Sequence, residues 1–385
     1  MWHVIRIAYF ENDKSALLLG PLKHVIEDIL KPAKITAYLQ SHWKFGPHID
    51  LTLQCSQNQF DACYPRIKAQ LDDWLKQHPS TTELQPEAYE KLSYQLGMSE
   101  LASPPYLPLL TNNSVSIAAY ELSESVDIEA LHQNKVQFLQ ATCELTLALV
   151  ALKQQQQNEF FVALILMMGM VAMRFQPDGI RRGYISYRSH AEFFLENYDQ
   201  SGALRQKFDA LDQRLQSVVD DSLAKLTREQ WSQLSLSSTV MQLLRQWSAI
   251  VDETYAQQLA TVTDNYQAFI DDDDEVSKSE RHFVKMAEQV SSQVPSHIKT
   301  IDRDFNTGKV VKSALQHEQG KQLFRSKPFI AYRLTVNYFY LLLPTLEISP
   351  VQKFSLCHIL ANAVERQWQL NWQDIIPVAA GGEHG

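Results

Sequence analysis

Residues 160–173 read FFVALILMMGMVAM, fourteen positions without a charged side chain. A helix that is apolar on every side has no face to give to water, so other elements must enclose it. It is shorter than the roughly 20 residues that cross a bilayer, which makes it a central core helix. The alternative is a partner surface made adaptable by its methionines. With 385 residues the chain supplies either one large domain or two ordinary ones. Because neither half offers an evident home for this helix, the expectation is one compact body with 160–173 at its centre.

The residues before it mix strand and helix. Segments 2–10, 35–40, 48–55 and 115–122 read as strands, and 15–30 and 61–77 as amphipathic helices. The order strand-helix-strand-strand-helix-strand predicts an α+β ferredoxin-like unit over 1–125. A mostly helical region over 126–385 is expected to pack on it. Its helices fall at 128–152, 158–174, 201–223, one or two within 229–270, two more including 279–292, and a closing pair at 331–343 and 350–368, while 183–195 carries an ordered pattern. The acidic run 271–275 lacks the glycine and glutamate spacing of a calcium loop and reads as an exposed loop.

Composition removes several classes of function. A net charge of −9 disfavours nucleic-acid binding. Four scattered cysteines form no zinc or redox pair, so they read as reduced thiols of a cytoplasmic protein. The N-terminus lacks the plan of a signal peptide and no bilayer-spanning segment is expected. Only 12 glycines are present, with no phosphate loop, nucleophile elbow or zinc helix. No cofactor and no metal are expected.

Three clusters of polar and aromatic residues remain. Gly46-Pro47 marks a turn, after which Ile49, Leu51, Leu53 and Cys55 alternate with His48, Asp50, Thr52 and Gln54. The second set shares one face of a strand, with His42 and Trp43 just before the turn. That face is either the wet side of a hairpin or the floor of a site. Arg188 and His190 lie in RRGYISYRSH (181–190), read as a polar helix start with Ser189 as its cap. Arg333 and Asn337, then His358, Asn362 and Glu365, recur at helical spacing near the end. His358 is either a hydrogen-bonded core histidine or a proton-handling group.

Taken together, Trp2, Gly46-Pro47-His48, Ser186 to His190 and Cys357-His358 resemble, in order, the C-terminal domain of lantibiotic dehydratases. That domain also occurs alone as the thiopeptide-type bacteriocin biosynthesis protein. The resemblance implies modification of a leader-bearing precursor peptide, by eliminating glutamate from glutamylated Ser or Thr, or by fusing two dehydroalanines into a pyridine. A separate glutamylation-domain protein is an implied partner. The family's eliminating domains carry arginines that recognise the glutamyl adduct, and the matching positions here hold Ser41, Asp50 and Thr52. An aspartate repels the carboxylate that an arginine clamps, by several kcal/mol at close range in a shielded site. His358 falls where the family places its proton-handling histidine.

The leading expectation is acid–base catalysis by His358, His48 and Asp50, with His42, Trp43, Arg188, His190 and Arg333 binding substrate. All three clusters are expected to converge on one cavity. The alternatives are a catalytically silent partner that presents the peptide to another enzyme, and a helical structural or oligomerising protein. A homodimer is allowed.

Overall fold

The computed structural model describes residues 1–100, 102–121, 128–270 and 317–375. The chain forms two compact units. Among the described residues the first holds 1–154 and 344–347, and the second holds 155–270, 317–343 and 348–375.

The first unit is built on four strands, β1 (Trp2–Ala8), β2 (Thr36–His42), β3 (His48–Gln54) and β4 (Ser114–Ala118). Their order is β2-β3-β1-β4 with every pair antiparallel, the ferredoxin-like arrangement. Alternation sends Ile5, Ile7, Leu39, Ile49, Leu51 and Leu53 to an apolar face. Helices cover that face. His3 stacks on Phe60 of α2 (Gln57–Gln77), and Cys143 of α4 (Glu129–Gln155) meets the backbone of Leu39. Ser56 and Gln59 form a capping box that starts α2 four residues before the period suggests.

Two elements differ from the sequence reading. The helix expected over 15–30 is an α-helical turn, α1 (Ser15–Leu17), followed by wide turns at Leu18–Leu22 and Val25–Leu30. Gly20-Pro21 breaks it, since Pro21 lacks an N–H and Gly20 leaves helical geometry. An unforeseen helix, α3 (Pro86–Glu100), precedes β4. By length and composition α4 is apolar enough to cross a membrane, yet most of it is buried in the protein.

The second unit is helical. α5 (Gln157–Ala172) contains the apolar run and is enclosed by α6 (Ile180–Tyr198), α7 (Ala203–Thr227), α8 (Ser238–Asp264), α11 (Lys327–Leu342) and α12 (Pro350–Trp368). The short α9 (Tyr266–Phe269) and α10 (Glu318–Arg325) complete the described helices up to α11. Five helices of this unit therefore pack around α5. Gly183 of α6 approaches α5 so closely that a Cβ there would overlap the backbone carbonyl of Ala172. The acidic run 271–275 and the helix expected over 279–292 lie outside the described residues.

Candidate functional site

The polar face of the sheet is not wet. His48, Asp50 and Thr52 are all buried. The register sets Gln40, Asp50, Arg6 and Ser116 side by side across all four strands, with His42 opposite His48 one row away. Arg6 closes a two-pronged pair with Asp50, Nε to Oδ1 at 2.9 Å and Nη2 to Oδ2 at 2.7 Å. That pairing raises the guanidinium further above its ordinary range. Both oxygens of Asp50, a residue expected to be catalytic, accept from Arg6.

Gly46 makes the turn that presents His48, at a φ of +103° open to glycine. His48 Nδ1–H donates to the Gly46 carbonyl (2.8 Å), leaving Nε2 as a lone pair. That nitrogen has no hydrogen-bond partner among the described residues and sits 3.8 Å from Asp50 Oδ1. Burial outweighs the pull of Asp50 and lowers this imidazole to about 4, so it is neutral near pH 7. The His42 ring stacks on it at 5.6 Å. These side chains line a cleft of ≈ 120 Å³ with Tyr38, Lys44 and Glu121. Trp43 packs instead on Tyr94 and Tyr106, and its carbonyl accepts from Tyr89. His42, His48 and Asp50 form no metal cage, since among the described residues no three potential ligands gather in that way.

In the second unit Arg188 and His190 lie mid-helix, because α6 begins at Ile180 behind Gly179; Ser189 is therefore no cap. α6, α7 and α12 meet along a stripe of charge. Arg188, 3 % exposed, grips Glu365 with Nε (3.0 Å) and Nη2 (2.7 Å), and Nη2 also donates to Asn362 Oδ1 (2.6 Å). Glu192 bridges Arg188 to Arg205. Burial raises the Glu365 carboxyl against the pull of Arg188. Burial also pushes Glu192 upward, but its two arginines bring it below the usual range.

His358, 2 % exposed, places Nε2 at 2.7 Å from Asp209 Oδ1. With a carboxylate at that distance Nε2 carries the proton and donates. The Asn362 amide nitrogen, 3.0 Å from the same ring atom, directs a hydrogen to Asp212 at 2.9 Å. Nδ1 is then an unprotonated nitrogen, buried and without a hydrogen-bond partner among the described residues. Burial lowers the His358 pKa despite the opposing effect of Asp209, so the ring is a neutral base. Arg366 anchors the far end of the stripe in Asp212 and Asp220.

His190 belongs to a separate group. Its Nδ1 lies 2.9 Å from the Tyr340 hydroxyl, itself 3.5 Å from Cys357 Sγ. Burial, with Lys353 and Arg333 nearby, lowers His190 to about 3. Arg333 covers the rings of Phe324 and Phe329 and is grouped with His190 rather than His358.

The expected residues thus assemble as His42, His48 and Asp50 in one unit, with Arg188 and His358 joined through Asn362 in the other. Arg6 and Asp209 were missed. Arg6 is visible only once the register of β1 and β3 is known. Asp209 had a signal, since Asp209, Asp212 and Asp220 form an acidic stripe facing His358, Asn362 and Arg366 on α12.

A four-stranded ferredoxin-like sheet with a buried ionisable face in one unit, and a helical unit with a histidine–carboxylate network in the other, define an α+β protein. The chain matches the family described as lantibiotic biosynthesis dehydratase C-terminal over residues 2–364, and it belongs to that family. Among solved structures it is similar to TbtD, the pyridine synthase from thiomuracin biosynthesis, at 18 % identity and a TM-score of 0.68. That likeness covers 96 % of this chain and 99 % of TbtD. TsrL is similar at 15 % identity and a TM-score of 0.62, covering 99 % of both chains. The tRNA-dependent lantibiotic dehydratase MibB from Microbispora sp. 107891 gives 12 % identity and a TM-score of 0.46, covering 96 % of this chain and 28 % of MibB. No curated protein matches the chain.

Proposed function

We propose that this protein is an enzyme that modifies a ribosomally made precursor peptide, with His358 moving the proton. The observation that carries this reading is the His358–Asp209 pair. One ring nitrogen is fixed by a carboxylate and the other keeps its lone pair, the arrangement a general base requires. Asp209 orients the ring and stabilises the imidazolium formed when Nδ1 takes a proton. Arg188, saturated by Glu365, Asn362 and Glu192, holds α12 to α6 and fixes Asn362 beside the ring. It positions the histidine and does not grip substrate.

Ring formation between two dehydroalanines is favoured over loss of glutamate. The positions of the family's adduct-binding arginines hold Ser41, Asp50 and Thr52, and the guanidinium that β1 supplies at this face, Arg6, is taken up by Asp50. The family likeness to a pyridine synthase agrees. His48, with its open Nε2, is a second acid–base candidate in the sheet cleft.

Two leader-bearing synthetic peptides test the reading by mass spectrometry, one with two dehydroalanines and one with a glutamylated serine. Wild type is expected to convert only the first, and His358→Ala neither. Conversion of the second by wild type would establish elimination instead: a Cα proton leaves, Cα=Cβ forms and the Cβ–O bond breaks to release glutamate. Binding of both peptides with conversion of neither would establish a silent presenting partner.

A further inference from the structure

We propose that the cavity where the start of α6 meets the ends of α7 and α12 binds a carboxylate-bearing, partly apolar segment of peptide. The cavity measures ≈ 500 Å³ and is lined by Arg181, Arg228, Asp178, Gln367 and Trp368 among others. Its charge runs against that of the whole chain, where acidic residues outnumber basic ones by 44 to 35. Asp178 does not neutralise the two guanidinium groups, because it is paired with Arg182 at 2.9 Å. Arg181 and Arg228 themselves have no ion pair among the described residues. Every other arginine at the α6–α7–α12 contact described above has its carboxylates in place, so these two stand apart within one helix packing.

Two further features define what fits. Guanidinium groups accept carboxylates in a two-pronged fork. The Trp368 indole offers an apolar surface beside them. A peptide with an acidic side chain next to an apolar one supplies the carboxylate and the apolar contact together, whereas a bare inorganic anion supplies only the charge. The choice of a peptide rests on the peptide-modifying function proposed above. The location also suits it. Trp368 follows His358 on α12 by ten residues, about 15 Å along the helix, a span of roughly five extended residues.

The test is calorimetric titration of the full chain with two acetylated, amidated octapeptides, one alternating Glu with Leu and one alternating Gln with Leu, and with inorganic phosphate. Wild type should bind the Glu peptide about tenfold more tightly than the Gln peptide, the effect of one charge-assisted contact. Arg181→Gln with Arg228→Gln should remove that preference while leaving the circular dichroism unchanged, and His358→Ala should retain it. Equal binding of the two peptides by wild type, an unchanged preference in the double variant, or phosphate displacing the Glu peptide at equal affinity would each overturn the assignment. Such a result alongside loss of turnover in His358→Ala would leave the proposed catalysis standing. Retained preference with full turnover in His358→Ala would leave this site standing and remove that catalysis.

Discussion

Asp50 and His358 show how one residue's neighbours decide its role. Asp50 sits beside an imidazole with an open nitrogen, which looks like catalytic company, yet Arg6 occupies both of its oxygens. Removing the guanidinium leaves a buried carboxylate without its counter-charge. Arg6→Gln is therefore expected to lower stability by roughly 2–4 kcal/mol, measured by denaturant titration. A change below about 0.5 kcal/mol would mean that water already screens the pair. For His358 the expectation is reversed. Its partner Asp209 has a side chain 48 % exposed and is rehydrated when the ring is lost. His358→Ala should abolish turnover while costing less stability than Arg6→Gln.

At the level of elements, the helical unit depends on close approach to α5. Gly183 is required where α6 crosses Ala172, and the Tyr332 hydroxyl donates to the Gly183 carbonyl at 2.6 Å. Gly183→Ala should force the helices apart and destabilise by about 1–3 kcal/mol, although alanine is the better helix former. Leu166→Ala, at a fully buried position, should cost roughly 2–5 kcal/mol. Thermal unfolding of both variants checks the pair, and an unaffected Gly183→Ala would mean that α6 can shift freely. The elements most legible in the sequence were those with a strong period or cap. The helix expected over 350–368 appears there, and Ser349 with Gln352 forms the capping box that starts it. Over 15–30 the amphipathic period is present, but Gly20-Pro21 interrupts the helix it implies. α3 carries too little apolar patterning to announce a helix. The site was legible only in part. His48, Asp50, Arg188 and His358 announced themselves by type and order, but Arg6 and Asp209 acquire meaning only from strand register and helix packing, which lie beyond local sequence.

At the scale of the molecule, buried neutral histidines tie stability to pH. His48 is held at about 4 and His190 at about 3, both below the ordinary imidazole value of 6.5. Between pH 6.5 and those values the unfolded chain binds protons that the folded chain does not, so stability falls as pH falls through that window. For His48 alone the loss from pH 7 to pH 5 is about 2 kcal/mol, a range above most carboxylate titration. The thermal midpoint should drop accordingly, and His48→Gln should flatten the slope. An identical slope in that variant would show that His48 is protonated in the folded protein.

The central claim is that His358, oriented by Asp209, is the base. Its most direct test is the rate of conversion of the two-dehydroalanine peptide from pH 5 to pH 9 in wild type, Asp209→Asn and His358→Ala. Wild type should lose activity on the acidic side with a midpoint below 6.5, because burial lowers His358. Asp209→Asn should shift that midpoint lower still and slow the plateau by about 10²–10⁴-fold, as loss of an orienting carboxylate does. His358→Ala should be inactive throughout. A His358→Ala enzyme that keeps the wild-type rate and pH profile would contradict the account.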